Sequence, residues 1–203
     1  MVIAALNQVV RGADVVVPLS AWPLISLTGM PTIVAIGPFD DRAHAKQLAA
    51  AFIAVRRQCK VQLVLLGAGE QRTAVMRRTC AHGVGSSVHV VNGSSDYRWS
   101  DVIAAADLVV LGSSSGTAML LDVLAAGRPV VAPADPETVP LVVPAIVGLV
   151  YRPGDVSGMT EALLRLVTAP VLRRGMGGRA RQAARRHHLE KRCAQKSDER
   201  KLT

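Results

Sequence analysis

The chain has very few aromatic residues. Two Trp, two Tyr and two Phe amount to 3% of its 203 residues, although half of all positions are hydrophobic. Its core must therefore be built from Val, Leu, Ile and Ala, which suits a parallel sheet covered by Ala-rich helices. Cysteine is scarce as well. Cys59, Cys80 and Cys193 are odd in number, far apart and form no CxxC pair, which excludes a disulfide framework and points to reduced thiols in a cytoplasmic protein. The five histidines show no metal-ligand spacing, and His187-His188 reads as a solvated pair, so no metal site is expected. Charge is missing from Val15 to Phe39, but Pro18, Pro23, Gly29 and Pro31 interrupt that run. Two buried strands joined by a turn explain it better than a membrane span. The amino-terminal MVIAALNQ has no basic n-region and does not fit a secretory signal. There is no GxGxxG, no P-loop lysine and no GxSxG elbow around Ser113-Ser114-Ser115, so dinucleotide, ATPase and serine-hydrolase readings drop out.

What is present is unevenly charged. From Val171 to Thr203 there are eleven Lys or Arg against three Asp or Glu, a surplus of +8 out of a total net charge of +9. The body is near neutral and the tail is basic. Three readings of that tail stand side by side. It is a solvated helix packed by Leu172, Met176 and Leu189, with Arg stems lying over the surface. Alternatively, it is drawn weakly to anionic membranes, at roughly 1 kcal/mol per near-surface cation. The third reading is salt-sensitive, non-specific nucleic-acid binding, since no motif for specific readout accompanies it.

In chain order, Met1–Gly12 reads as a helix end, Asp14–Pro18 as a strand and Ser20–Met30 as loop. Strands are expected at Thr32–Gly37, Val61–Leu66, Ser87–Val91, Asp107–Gly112, Val130–Ala132 and Leu149–Tyr151. Helices are expected at Arg42–Gln58 (apolar face Leu48, Phe52, Val55), Gln71–His82, Trp99–Ala106, Thr117–Ala126, Ser157–Thr168 and Val171 to about Lys196. Gly67-Ala-Gly69 closes one strand, with Glu70 a helix-start acid, and Tyr97-Arg98-Trp99 reads as a lid over the core edge. This alternation gives an α/β fold, a Rossmann-like doubly wound parallel sheet. Such sheets bind ligands beyond the carboxyl ends of their strands, where the strand order switches. The stretch Ala104–Val131 is the one place where an anion site can be located. A strand, the small residues Ser113-Ser-Ser-Gly116, a helix ended by Gly127 and Pro129, and a second strand form a βαβ unit whose helix start can hold a phosphate.

Five pieces follow one another in order: Gly37 and its turn, Leu65-Leu-Gly67-Ala-Gly69, Ala104-Ala-Ala-Asp107, Asp122-Val-Leu-Ala-Ala-Gly127-Arg-Pro129-Val-Val, and Gly148-Leu-Val-Tyr-Arg-Pro153-Gly-Asp155. Over roughly residues 30–190 this resembles the C-terminal, donor-binding domain of retaining glycosyltransferases of the GT-B fold, the glycosyl transferases group 1 type. The resemblance implies a single GT-B C-terminal-type half. Residues 1–30 would be an inter-domain remnant or edge strand and loop, 31–170 the Rossmann-like donor domain, and 171–203 the basic helix and tail.

The resemblance also implies a nucleotide diphosphate sugar as substrate, no metal or other cofactor, and diphosphate held by a helix start and basic side chains. Of the two Glu that the family's phosphate turn carries, the positions here are Ser114 and Asp122. The family's diphosphate-gripping Arg and Lys fall on Pro38 and Ala43, with Arg42 and Lys46 near enough to substitute in principle, although a solvated helix start explains that pair more simply. The loop at Asn92–Ser95 corresponds to one that approaches the base. A further family Glu has no clear equivalent; Asp135 and Glu137 lie nearby, and helix capping explains them as well as ligation does. The expected donor-binding residues are therefore Gly37, Arg42, Lys46, Asn92, Gly93, Ser114, Ser115, Gly116, Thr117 and Asp122, with no catalytic residue assigned. A glycosyltransferase-like protein is expected, leaning towards an enzyme that needs a separate acceptor-binding half as partner. A catalytically inactive truncated homologue, acting as an interaction or regulatory module, is the alternative. Cytoplasmic location, peripheral to a membrane at most, goes with both.

Overall fold

The computed structural model describes residues 29–91, 99–112 and 115–199. The helix end, strand and most of the loop expected before residue 29 lie outside them, as do Asn92, Gly93, Tyr97, Arg98, Ser113 and Ser114. Six strands form one parallel sheet: β1 (Thr32–Ile36), β2 (Gln62–Leu66), β3 (Val88–Val91), β4 (Leu108–Leu111), β5 (Val130–Pro133) and β6 (Gly148–Tyr151), in the order β3-β2-β1-β4-β5-β6. Helices cover both faces, so the strands read as continuous apolar runs.

Side-chain alternation sorts those runs into two cores. Ile33, Ala35, Leu63 and Leu65 point to one side, under α1 (Arg42–Gln58), α2 (Gln71–Ala81) and α6 (Val156–Thr168). Val34, Ile36, Val64 and Leu66 point to the other, under α3 (Trp99–Ala105) and α4 (Gly116–Ala125). The face of α1 foreseen from its spacing is buried: Leu48, Phe52 and Val55 have no exposed surface. A short helix α5 (Val139–Val142) and a 3-10 turn (Gly85–Ser87) were not foreseen.

The last helix, α7 (Pro170–Glu199), runs further than expected and touches both cores, burying Met176 in the first and Ala180 in the second. Leu172 packs in part as expected, but Leu189 does not: it is 59% exposed. A 30-residue helix is about 45 Å long, more than the sheet can cover. At its start, Arg173 donates to the terminal carbonyls of α6, Leu166 O and Val167 O, and pairs with Asp107 at 3.1 Å. Asp107 in turn accepts from Thr32 N at 2.8 Å. This residue of the Ala104–Asp107 piece thus fastens the amino end of the sheet, away from any ligand.

Candidate functional site

β1 is the strand where the order switches, with β2 on one side and β4 on the other. The chain leaving β1 turns to α1 in the first layer and the chain leaving β4 turns to α4 in the second. In open sheets of this kind the ligand crevice lies between two such departures.

The α4 side carries the strand-to-helix turn at which an anion is expected from the sequence. Ser115 precedes α4 but does not cap it. Its hydroxyl accepts from Gly112 N at 3.0 Å, and its own N–H donates to Gly112 O at 3.1 Å. The first turn of α4 contains no acidic residue. Its leading N–H groups and the helix dipole therefore face the crevice without a Ser115 cap. Gly116 stands in the left-handed region (φ +66°), and among the described residues nothing lies within 4 Å of where its Cβ would be. Thr117 Oγ1 donates to Glu137 Oε2 at 3.3 Å. Asp135 and Glu137, inseparable in sequence, thus part ways. Asp135 Oδ1 accepts from Glu137 N and Thr138 N and shapes the turn before α5, whereas Glu137 reaches the α4 start.

The α1 side is arranged differently. Gly37 is buried, and a Cβ there would meet the Phe39 ring at 2.7 Å, so it serves loop packing. Asp41 caps α1 by accepting from Ala43 N at 2.7 Å. Arg42 and Lys46 are exposed and line a groove of about 600 Å³ between α1 and α2, together with Glu70, Arg77 and Arg78. Asp122 is also exposed, on the face of α4 that lines a groove of about 740 Å³ against α7, beside Arg181 and Arg185. The structure thus brings Ser115, Gly116 and Thr117 together, and places Arg42, Lys46 and Asp122 on other walls. Trp99 packs against the second core near Gly67.

The residue of α1 that does reach the turn after β4 is His44, which sequence reasoning missed. Two positions from both Arg42 and Lys46, it faces about 200° away from them around the helix. It is 6% exposed, with Cδ2 and Nε2 only 3.2 and 3.3 Å from where a Gly112 Cβ would be. Tyr151, at the end of β6, places its hydroxyl 3.3 Å from both His44 Nδ1 and Leu111 O. Burial pushes the imidazole pKa down against the pull of Asp41. It pushes the phenol far above its ordinary value, with Asp135 and Asp41 adding to the effect. Both groups are neutral at physiological pH. No local motif announces this contact, because 107 residues separate its members.

A family model for glycosyl transferases group 1 matches residues 30–169. No curated protein matches the chain by sequence. Among solved structures it is similar to WaaG, a glycosyltransferase involved in lipopolysaccharide biosynthesis (22% identity, TM-score 0.70, 82% of this chain and 45% of that one). It is similar to the C-terminal domain of a glycosyl transferase group 1 family protein, LpcC, from Francisella tularensis (15%, 0.68, 78% and 88%). A third is an E. coli structure described as trehalose-6-phosphate bound with UDP-2-fluoro glucose (14%, 0.65, 89% and 46%). The chain thus spans less than half the length of the first and third. The sheet order, the departures from β1 and β4 and the span of the family match agree: this chain belongs to the glycosyl transferases group 1, with the fold of a GT-B C-terminal-type half.

Proposed function

We propose that the chain binds a nucleotide diphosphate sugar in the crevice between β1 and β4 and serves as the donor-binding half of a glycosyl transfer, the acceptor being held by a separate half. The observation that carries this reading is the α4 start. It is a ten-residue helix free of acid in its first turn, uncapped by Ser115, and opening on a Gly116 with empty space beside it, at the switch point of the sheet. Anionic diphosphate is the ligand such a start favours. The E. coli neighbour's bound UDP-2-fluoro glucose supports a nucleotide sugar as the class. Thr117 and Glu137 would meet the ligand's hydroxyl groups beside its phosphates, and the grip on diphosphate requires no metal.

The test is calorimetric titration of the chain with UDP, GDP and their sugar conjugates, with and without a chelator. Micromolar binding of one nucleotide, unchanged by the chelator and abolished by Gly116→Trp, is the expected result. The indole would fill the space beside the helix start, and φ +66° would strain any side chain there. No binding at millimolar concentration would sink the reading and leave the interaction-module alternative.

A further inference from the structure

The loss of the family's basic pair at Pro38 and Ala43 leaves open what neutralises a diphosphate at the α4 start. We infer that His44 does so, by taking up a proton when the phosphate binds, so that donor binding in this chain is linked to pH. This rests on the donor-binding reading above and names the group that completes its charge balance.

One tautomer of the imidazole lets the Tyr151 hydroxyl make both of its contacts at once. Leu111 O can only accept, and the Tyr151 hydroxyl beside it has one hydrogen to give. With that hydrogen directed to the carbonyl, the Tyr151 oxygen accepts from His44 Nδ1. The neutral ring therefore carries its hydrogen on Nδ1 and a lone pair on Nε2. Nε2 lies beside Cδ2 on the ring edge that faces Gly112, and among the described residues no hydrogen bond to it is seen. A side chain at residue 112 would crowd it; glycine leaves it uncovered.

A lone pair beside a phosphate oxygen is repulsive, whereas a protonated Nε2 donates a charge-assisted hydrogen bond. The surroundings favour this switch. From its own helix, Asp41 faces the ring and stabilises the cation. From β6 comes the neutral Tyr151, on which the charge of Asp135 acts from the β5–α5 loop. The turn after β4 contributes the uncharged Gly112 and Ser115. Burial keeps the ring neutral until an anion arrives.

The linkage follows directly. The free ring's pKa lies below its ordinary 6.5 and the phosphate-bound ring's lies above the free value. Affinity therefore rises as pH falls through the bound value and levels off below the free one. The probe is UDP-glucose, whose diphosphate diester does not titrate near neutral pH. Calorimetry in two buffers of unlike protonation enthalpy should show uptake of a fraction of one proton per ligand bound. The affinity should rise about tenfold from ~pH 8 to ~pH 6. His44→Gln should bind with no uptake and little pH dependence. If that variant fails to fold, imidazole NMR of the unmodified chain gives the same answer, one histidine's pKa rising on addition of ligand. UDP-glucose binding without proton uptake, or with uptake retained in His44→Gln, overturns this proposal and spares the donor-binding reading. If UDP-glucose does not bind, the conjugate that does bind in the titration above takes its place as probe; absence of binding by every UDP and GDP conjugate overturns both.

Discussion

Gln47 shows how the Arg152–Asp155 loop is held by a residue outside it. Its amide is 4% exposed, donates to Asp155 O at 2.8 Å and Arg152 O at 3.3 Å, and accepts from Gly154 N at 3.0 Å. Polar groups at this depth must be paired, and the loop's backbone has this one side chain to pair with. Gln47→Ala is expected to cost about 2–4 kcal/mol, combining lost hydrogen bonds with a cavity at the helix surface. Urea unfolding checks this; a loss under about 0.5 kcal/mol would mean that water replaces the amide. In the sequence, Gln47 is one polar residue in a mostly apolar stretch of helix. Its burial becomes visible only when the Arg152–Asp155 loop is laid against α1.

At the scale of the element, α6 begins at an Asp155 cap. Asp155 Oδ1 accepts from Gly158 N at 2.9 Å and Ser157 Oγ at 2.6 Å, and these bonds hold its carboxyl below its ordinary pKa. Its folded pKa is thus depressed relative to the unfolded chain. The stabilisation it gives is fully present above the unfolded value of about 3.9 and is lost as pH falls through the folded value. Thermal melts of Asp155→Ala should therefore lie below those of the unmodified chain by a constant margin near neutral pH. That margin should close on acidification below ~pH 4. A margin that persists in acid would assign the effect to the backbone of the turn instead of the carboxylate. By contrast, α4 has its Ser115 hydroxyl committed to Gly112. One helix start is closed by its cap; the other has no cap bond from Ser115, and it follows β4, beside which the strand order switches.

For the molecule as a whole, α7 joins the two layers. Met176 lies in the first core and Ala180 in the second, and between them Gly177 passes against the end of α4. A Cβ on Gly177 would stand 2.4 Å from Gly127 O, a backbone atom that cannot swing away. Gly177→Ala is expected to lift α7 off α4 at a cost of about 1–3 kcal/mol, read as a lower urea midpoint with α1 and β1 still native by hydrogen exchange. Equal stability would show that α7 contributes little to the fold. Among the described residues no helix is long and apolar enough to cross a membrane.

The sheet, most of its helices and the family were legible in the sequence for one physical reason. A parallel sheet covered on both faces needs unbroken apolar strands such as Thr32–Ile36 and Leu108–Leu111, and helices such as Arg42–Gln58 with a one-sided stripe. These are local patterns that the residues themselves carry. The position of the α4 start was legible on the same ground, because small residues break the pattern between an apolar strand and an apolar helix. What only the tertiary structure decided is which side chains share a wall. Spacing alone left Arg42 and Lys46 as equal candidates for the crevice. The rotation of α1 against the sheet turns them to α2 and turns His44 to Gly112. Likewise the packing of α4 on α7 directs Asp122 away from the helix start, and the turn after β5 separates Glu137 from Asp135. Contacts over 107 residues, such as Tyr151 with His44, leave no periodic trace in a chain, since both partners are selected by a surface that exists only after folding.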